Sequence, residues 1–235
     1  MSKTLIIADL HLTSIEGEKL NLFCRFCQNE AKQADQLFIL GDLFNTWIGD
    51  DISLSEHQVA INCLEKLSKS TKVFVMFGNR DFLLAKQFEQ QSGCTLINEP
   101  HLLTGSNQNY VLVHGDRFCT DDVNYQKMKK VLRNRIVQLI FLSLPKQWRL
   151  KLSGKIRNKS IQAQSYKSAQ IMDVNQQTVD NFMANYPGAN LIHGHTHRQN
   201  THANESYTRY VLGDWSDTQG NAIELGKSLD WLEIH

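Results

Sequence analysis

Leu37-Phe38-Ile39-Leu40-Gly41-Asp42 decides the fold. A short run of aliphatic and aromatic residues stops at a glycine and a carboxylate. Such a run reads as a strand buried on both faces, with the carboxylate where the strand passes into a loop. Working outward, the same arrangement recurs four times. Leu5-Ile6-Ile7-Ala8 leads into Asp9-Leu10-His11, and Val73-Phe74-Val75-Met76-Phe77 into Gly78-Asn79-Arg80-Asp81. Tyr110-Val111-Leu112-Val113 leads into His114-Gly115-Asp116, and Asn190-Leu191-Ile192 into His193-Gly194-His195-Thr196-His197. In open α/β folds, ligands bind at the carboxyl ends of the strands. Five such ends bearing metal-ligand residue types predict one metal site.

Segments of helical period separate the strands. Glu18 to Ala34 places Leu22, Phe23, Phe26 and Cys27 on one face; Ser55 to Ser70 opens with Ser55 as an N-cap; Phe82 to Ser92 stops at Gly93. This alternation predicts a layered α/β sheet. After His197 the pattern changes, and Tyr207–Leu212, Asn221–Leu225 and Leu229–Ile234 read as antiparallel strands. Between Asp116 and Asn190 lies a longer helical stretch with an apolar stripe of Met128, Val131, Leu132, Ile136, Leu139 and Ile140, ended by Pro145. A second stretch carries Trp148, Leu152 and Ile156. We read 120–170 as a helical cap inserted into a core of 1–119 and 171–235.

The chain has 235 residues, 41% hydrophobic and 21% charged, ordinary for a globular protein. No stretch reaches the about 18 apolar residues of a membrane span, and the first apolar run is interrupted at Asp9, too early for a signal peptide. The expected location is cytoplasmic. Five cysteines, an odd number, argue against a disulfide framework; Cys24 and Cys27 are expected as buried, inert thiols. Net charge is +1, but Thr120 to Gln170 holds twelve Lys or Arg against Asp121 and Asp122 alone. That imbalance calls for an anionic partner. Bases bordering an apolar helix suit anionic amphiphiles, although stripes packed on the core are an equal expectation. The block lacks the interleaved aromatics of a single-strand platform, so nucleic acid is not expected.

Asp9, Asp42 and Asn79 offer oxygen ligands; His11, His114, His195 and His197 offer imidazoles. That set favours manganese, iron or zinc over calcium or copper(I). Two such ions ~3.5–4 Å apart clamp the oxygens of an in-line displacement at phosphorus and lower the pKa of water. Asp42 is the candidate bridging carboxylate.

In their order along the chain, Asp-x-His, Gly-Asp, Gly-Asn-x, His-Gly and Gly-His-x-His resemble the calcineurin-type metallophosphoesterase family. The resemblance implies an α/β fold of two packed β-sheets flanked by helices. It also implies two ions, one on Asp9, His11, Asp42 and His197, the other on Asp42, Asn79, His114 and His195. Further runs resemble one branch of that family over nearly the whole chain: Trp47-Ile48-Gly49-Asp50-Asp51, Asn79-Arg80-Asp81-Phe82-Leu83-Leu84, Cys119-Thr120-Asp121-Asp122 and Ile171-Met172-Asp173-Val174-Asn175-Gln176. This likeness implies hydrolysis of the pyrophosphate of UDP-2,3-diacylglucosamine to UMP and 2,3-diacylglucosamine 1-phosphate, in the lipid A pathway of Gram-negative bacteria. It implies two manganese ions, acyl chains held by the cap, and peripheral contact with the cytoplasmic face of the inner membrane, with no obligate protein partner. Substrate-contact positions fall on Asn79, Arg80, Asp122, Ser160, Gln164, Lys167 and His195. Gln164 departs from the asparagine usual there.

Many members of the superfamily carry a histidine acid after the motif asparagine, where this chain has Arg80. Arginine cannot protonate a leaving alkoxide, but it grips phosphate oxygens bidentately. A phosphate leaving group, with a second pKa near ~6, needs no acid. Arg80 therefore favours a pyrophosphate over a phosphomonoester, unless it is a surface partner of Asp81. The catalytic set is Arg80, His195 and Asp42. A related hydrolase of a soluble nucleotide or phosphoprotein is the alternative, and a non-catalytic scaffold retaining the fold ranks lower. Asp116 is expected to position His114, and His193 is a candidate to orient a ligand from behind rather than a ligand itself. Asp50 and Asp51 are read as rim or solvated residues, Trp148 as cap core, and His57, His101, His202 and His235 as surface residues.

Overall fold

The computed structural model describes residues 3–14, 17–105, 108–165 and 173–235, with backbone alone for 158–165. Among the described residues two sheets pack face to face. The first runs β11 (Leu229–Ile234), β10 (Gly220–Leu225), β1 (Thr4–Ile7), β2 (Gln36–Ile39), β3 (Lys72–Met76), β4 (Thr95–Ile97). β1 to β4 are parallel, with Ile6 opposite Phe38 and Phe38 opposite Phe74; β10 and β11 are antiparallel. The second sheet runs β5 (His101–Thr104), β6 (Asn109–Val113), β7 (Ala189–His193), β9 (Thr208–Val211), β8 (Asn200–Ala203).

Period-two alternation sorts the side chains. Leu5 and Ile7 face the helices, whereas Ile6 and Ala8 face the second sheet, where Phe38 and Met76 meet Leu112, Ile192 and Leu212. Both faces of β1 are covered, so all four of its residues are buried. Helices α1 (Glu18–Gln28), α2 (Asp50–Glu56), α3 (Gln58–Ser68) and α4 (Lys86–Ser92) supply or follow the crossovers of the first sheet. α5 (Val123–Leu132), α6 (Arg135–Ser143) and α7 (Lys146–Ser165) stand between β6 and β7, and α8 (Gln176–Met183) covers the second sheet with Val179 and Met183.

Several expectations are corrected. Ser55 lies inside α2 rather than capping a helix; the chain breaks at His57 and restarts as α3. α4 begins at Lys86, because Asp81 to Leu84 forms a turn closed by Leu84 N–H to Asp81 O at 3.1 Å. β9 pairs parallel with β7 and antiparallel only with β8. The stripe from Met128 to Ile140 is two helices, divided where the Asn134 side chain accepts from the N–H groups of Ile136 and Val137. Four of its six apolar residues face outward rather than packing on the core, with Val131 57%, Ile136 68%, Leu139 61% and Ile140 60% exposed. Trp148, at 68% exposed, is likewise not a core residue. Cys24 pairs with Cys63 in a disulfide, because α1 and α3 lie side by side with these positions facing at 5.8 Å between Cα atoms. Cys27, Cys94 and Cys119 are buried thiols outside that disulfide. His57 is buried, its ring 4.5 Å from that of Phe44, and His101 is half-buried against Phe38.

Candidate metal centre

Four of the five strand ends leave their sheets through residues of positive φ, and the end of β3 does not. Asp9, His11, Asp42, His195 and His197 all have positive φ, between 51° and 70°. Non-glycine residues held there cost about 1–3 kcal/mol each, and such strain clusters at functional sites. Close backbone contact fixes the loops. A Cβ on Gly78 would lie 2.1 Å from Asp42 Oδ1, and one on Gly194 2.2 Å from Asp9 Oδ2.

Asp9, His11 and His197 bring ligand atoms within 4.8 Å of one another, and so do Asp9, Asp42 and His114. His11 Nε2 and His197 Nε2 are 3.0 Å apart. Asp42 Oδ2 lies 3.8 Å from His11 Nδ1, and Oδ1 3.9 Å from His114 Nε2, so this carboxylate stands between the two groups. His114 donates from Nδ1 to Leu40 O at 2.8 Å, which turns the Nε2 lone pair toward Asn79 Oδ1 at 3.0 Å. With no proton on Nε2 two acceptors face each other there, so either a proton or a cation must lie between them. Asp9 Oδ1 and His11 Nδ1 are buried without hydrogen-bond partners. Such orphans in a protein interior are costly, and a cation among them relieves the cost. The donor set therefore fits divalent metal.

The electrostatics agree. Burial, with Asp81 and Asp9 nearby, pushes Asp42 up to about 7 despite the opposing charge of His114. Burial alone would lower His114, but Asp42, Asp116, Asp9 and Glu99 outweigh it and lift it to about 9. For Asp9, burial is overcome by the neighbouring His197, whose Nε2 lies 3.6 Å from Oδ1, and by the charges of His114 and His11, which hold it at about 2. Burial, then Arg80, pushes His11 down to about 2. Burial, then His114, pushes His195 to about 3. The cluster concentrates negative potential, and a bound proton and a bound cation answer it in the same way. His195 stands at the side of this group, its ring centroid 5.0 Å from that of His114 and 5.8 Å from Tyr125.

Arg80 does not pair with Asp81. Its NH1 donates to Asn45 Oδ1 at 2.8 Å, its Nε lies 3.6 Å from Asp42 Oδ2, and its backbone N–H donates to Asp42 Oδ1 at 2.9 Å. Asp81 is fully buried and accepts from the N–H groups of Gly78, Asp42 and Phe44, tying the β2 and β3 loops together. Asp116 does not touch His114; Tyr125, Lys129 and Arg133 take its carboxylate oxygens instead. The His114 N–H is held by Glu99 Oε2 at 3.0 Å. His193 bonds the Gly194 carbonyl through Nδ1 at 2.8 Å, so it orders the turn before His195 rather than a ligand ring. Asp50 is buried, accepting from Trp47 Nε1 and the N–H groups of Ala85 and Phe88, whereas Asp51 pairs with Arg149. Asp122 caps α5, its Oδ1 accepting from Tyr125 N–H at 3.1 Å. The side chains of Ser160 and Gln164, and all of Lys167, lie outside the described residues. Asn45, Asp81, Glu99 and Asp214, whose Oδ2 lies 3.6 Å from His197 Nδ1, were not singled out from sequence as site residues. Asn45, Glu99 and Asp214 are lone loop residues whose spacing carries no signal, and Asp81 stood in a quoted strand-end cluster without an assigned role.

The family model for the calcineurin-like phosphoesterase matches residues 2–199. A protein of Histophilus somni (strain 2336) named UDP-2,3-diacylglucosamine hydrolase is 42% identical over 220 residues, covering 93% of this chain and 94% of the relative. One of Ectopseudomonas mendocina (strain ymp) with the same name is 42% identical over 227 residues, covering 94% and 93%. A solved structure described as a novel archaeal phosphodiesterase is similar in fold at a TM-score of 0.50 and 11% identity, covering 99% of this chain and 98% of that one. With its strand-end ligands, its paired sheets and these relatives, the chain belongs to the calcineurin-like phosphoesterase family.

Proposed function

We propose that this chain hydrolyses the pyrophosphate of UDP-2,3-diacylglucosamine by water attack on the uridine-side phosphorus. The products are UMP and 2,3-diacylglucosamine 1-phosphate (lipid X), in lipid A biosynthesis. The observation that carries this is the meeting of five strand ends around unpartnered buried acceptors, in a chain 42% identical to a UDP-2,3-diacylglucosamine hydrolase over 93% of its length.

Asp9, His11, Asp42 and His197 would hold one cation, and Asp42, Asn79, His114 and His195 a second. Oxygen and imidazole donors without thiolate suit two Mn²⁺. When bound, paired divalent ions lower the pKa of water and offset charge on phosphate oxygens. The chain's own groups do the rest. Arg80, anchored on Asn45 Oδ1, offers a planar fork to the reacting phosphate. A guanidinium does not serve as a general acid, and a phosphate leaving group asks for none. His195 and Asn79 are assigned to the same phosphate; Asp122, Ser160, Gln164 and Lys167 are assigned to the rest of the substrate.

Residues 120–170 would act as a helical cap on a core of 1–119 and 171–235. Its exposed Val131, Ile136, Leu139, Ile140 and Trp148 support a role in holding acyl chains, and its bases a role at anionic headgroups. No helix among the described residues is long and apolar enough to cross a membrane. We therefore place the enzyme peripherally, on the cytoplasmic face of the inner membrane. Incubation with manganese and UDP-2,3-diacylglucosamine in oxygen-18 water tests the reaction. Label is expected in UMP; label in the lipid phosphate, or no turnover of the acylated nucleotide, overturns the proposal.

A further inference from the structure

Asp116 is wholly buried at the end of β6, yet the hydrogen bonds to its carboxylate come from the α5 segment. Tyr125 OH donates at 3.0 Å, Lys129 Nζ at 2.6 Å and Arg133 NH2 at 3.2 Å. These three stand four apart in sequence and so share one helical face. Gln126 Nε2 adds a bond to the Asp116 carbonyl at 2.9 Å. Asp116 is the core's socket for α5.

Arg133, the C-cap residue of α5, reaches further. The same NH2 group donates to Gly78 O at 3.1 Å, and NH1 lies 3.7 Å from Glu99 Oε1. Gly78 immediately precedes Asn79, and Glu99 holds the His114 backbone N–H at 3.0 Å through its other oxygen. One guanidinium thus touches the supports of both Asn79 and His114, whose side chains face each other at 3.0 Å. Beside it lies a cavity of about 360 Å³ lined by Phe77, Asn98, Glu99, Arg117, Lys129 and Arg133. Arg133 lines this cavity and makes polar contacts to Asp116, Gly78 and Glu99. Its charge and that of Lys129 balance Asp116 and Glu99.

We infer that Arg133 is a positioning residue that couples the seating of α5 to the geometry of the Asn79–His114 half of the metal centre. The inference rests on the proposal that this half holds a cation, and it assigns Arg133 no contact with substrate. Groups that orient metal ligands from behind are typically worth 10–100-fold in metal affinity. The fork shape is what matters. A lysine retains the charge that Asp116 and Glu99 require but cannot span Gly78 O and both carboxylates.

The test is manganese titration of the full chain, followed by the EPR signal of free Mn²⁺, on wild type, Arg133→Met and Arg133→Lys. Wild type is expected to bind two ions; fewer than two would overturn the dinuclear reading itself, whatever the variants do. Arg133→Met is expected to weaken one ion ~10–100-fold and leave the other unchanged. Arg133→Lys, which keeps the buried charge balanced and so the fold, is expected to retain at least a ~5-fold loss at the same ion. In turnover, kcat should fall in both variants while KM for the nucleotide stays within about threefold, as expected for a residue that binds no substrate. Wild-type binding of both ions in Arg133→Lys overturns the inference even if Arg133→Met does not fold. Equal weakening of both ions, or a loss confined to KM, overturns it as well.

Discussion

Arg80 shows how a single side chain fixes the kind of bond a site can cleave. Its Nε stands 3.6 Å from Asp42 Oδ2, NH1 is bound to Asn45 Oδ1, and the side chain is partly exposed. In this position it stabilises charge that grows on phosphate oxygens and cannot protonate a leaving group. Arg80→Ala should lower kcat/KM about 10²–10³-fold, the cost of removing one preorganised donor, with an unchanged circular dichroism spectrum. Arg80→Lys should restore only part of the loss, because an ammonium is not a fork. A wild-type rate in Arg80→Ala would refute this role. The cysteines make a second prediction at this scale. Burial pushes Cys94 and Cys119 up to about 12 and Cys27 higher still, so none presents thiolate at pH 8. Iodoacetamide should leave all three unmodified in the native, unreduced protein and alkylate all three after unfolding. Rapid native labelling of any one would contradict its buried setting.

At the scale of elements, the described side chains that tie α6 and α7 to the core include Arg149, Lys146 and the partly buried Phe141. Arg149 is 3% exposed, and its NH1 donates to Ile48 O and Asp51 Oδ1, both at 2.8 Å, while Lys146 Nζ donates to Asp51 O at 2.8 Å. Hydrogen bonds to charged groups are worth about 1.5–3 kcal/mol, and Asp51, half-exposed, remains solvated when its partner is lost. Arg149→Met should therefore speed amide exchange across α6 and the start of α7 by roughly ten- to a hundredfold, with little change in global Tm. Unchanged exchange there would show that other contacts hold these helices. The Arg149 hydrogen bond also holds the Asp51 carboxyl below its usual 3.8, so the clamp is intact at neutral pH and is lost as acid titrates Asp51 through that lowered value. Strands with unbroken apolar runs, β1, β2, β3, β6 and β7, were legible in sequence because burial on two faces leaves no other composition. β8 was not, since Asn200-Thr201-His202-Ala203 is fully exposed at a sheet edge, and β4 and β5 are too short to show a period. The metal ligands were legible because they end those runs. Their supports were not, because Asp81, Glu99 and Asp214 are defined by distance in space alone. The Cys24–Cys63 pair, 39 residues apart, is legible only once α1 and α3 are side by side.

For the whole molecule, the division of charge sets where it goes. Twelve of the 25 basic residues lie in 120–170 with two acids, so the remainder is acidic and the molecule has a basic pole. At that pole Val131, Ile136, Leu139, Ile140 and Trp148 are each more than half exposed, an arrangement a water-facing surface rarely keeps. An anionic bilayer answers both features, through about 1 kcal/mol for each Lys or Arg near the surface and about 1.5–3 kcal/mol for each large apolar side chain fully removed from water. The protein should sediment with vesicles rich in phosphatidylglycerol at least tenfold more than with phosphatidylcholine vesicles. Raising ionic strength from 0.1 to 1 M shortens the screening length from about 10 to 3 Å, so it should remove most of that difference and leave a weaker, salt-resistant component. Ile136→Ser with Trp148→Ser should abolish that remainder, since both side chains are surface groups whose loss leaves the core intact. Equal binding to both vesicle types at low salt would show that the basic pole serves the substrate's phosphates alone, and that the membrane is not its partner.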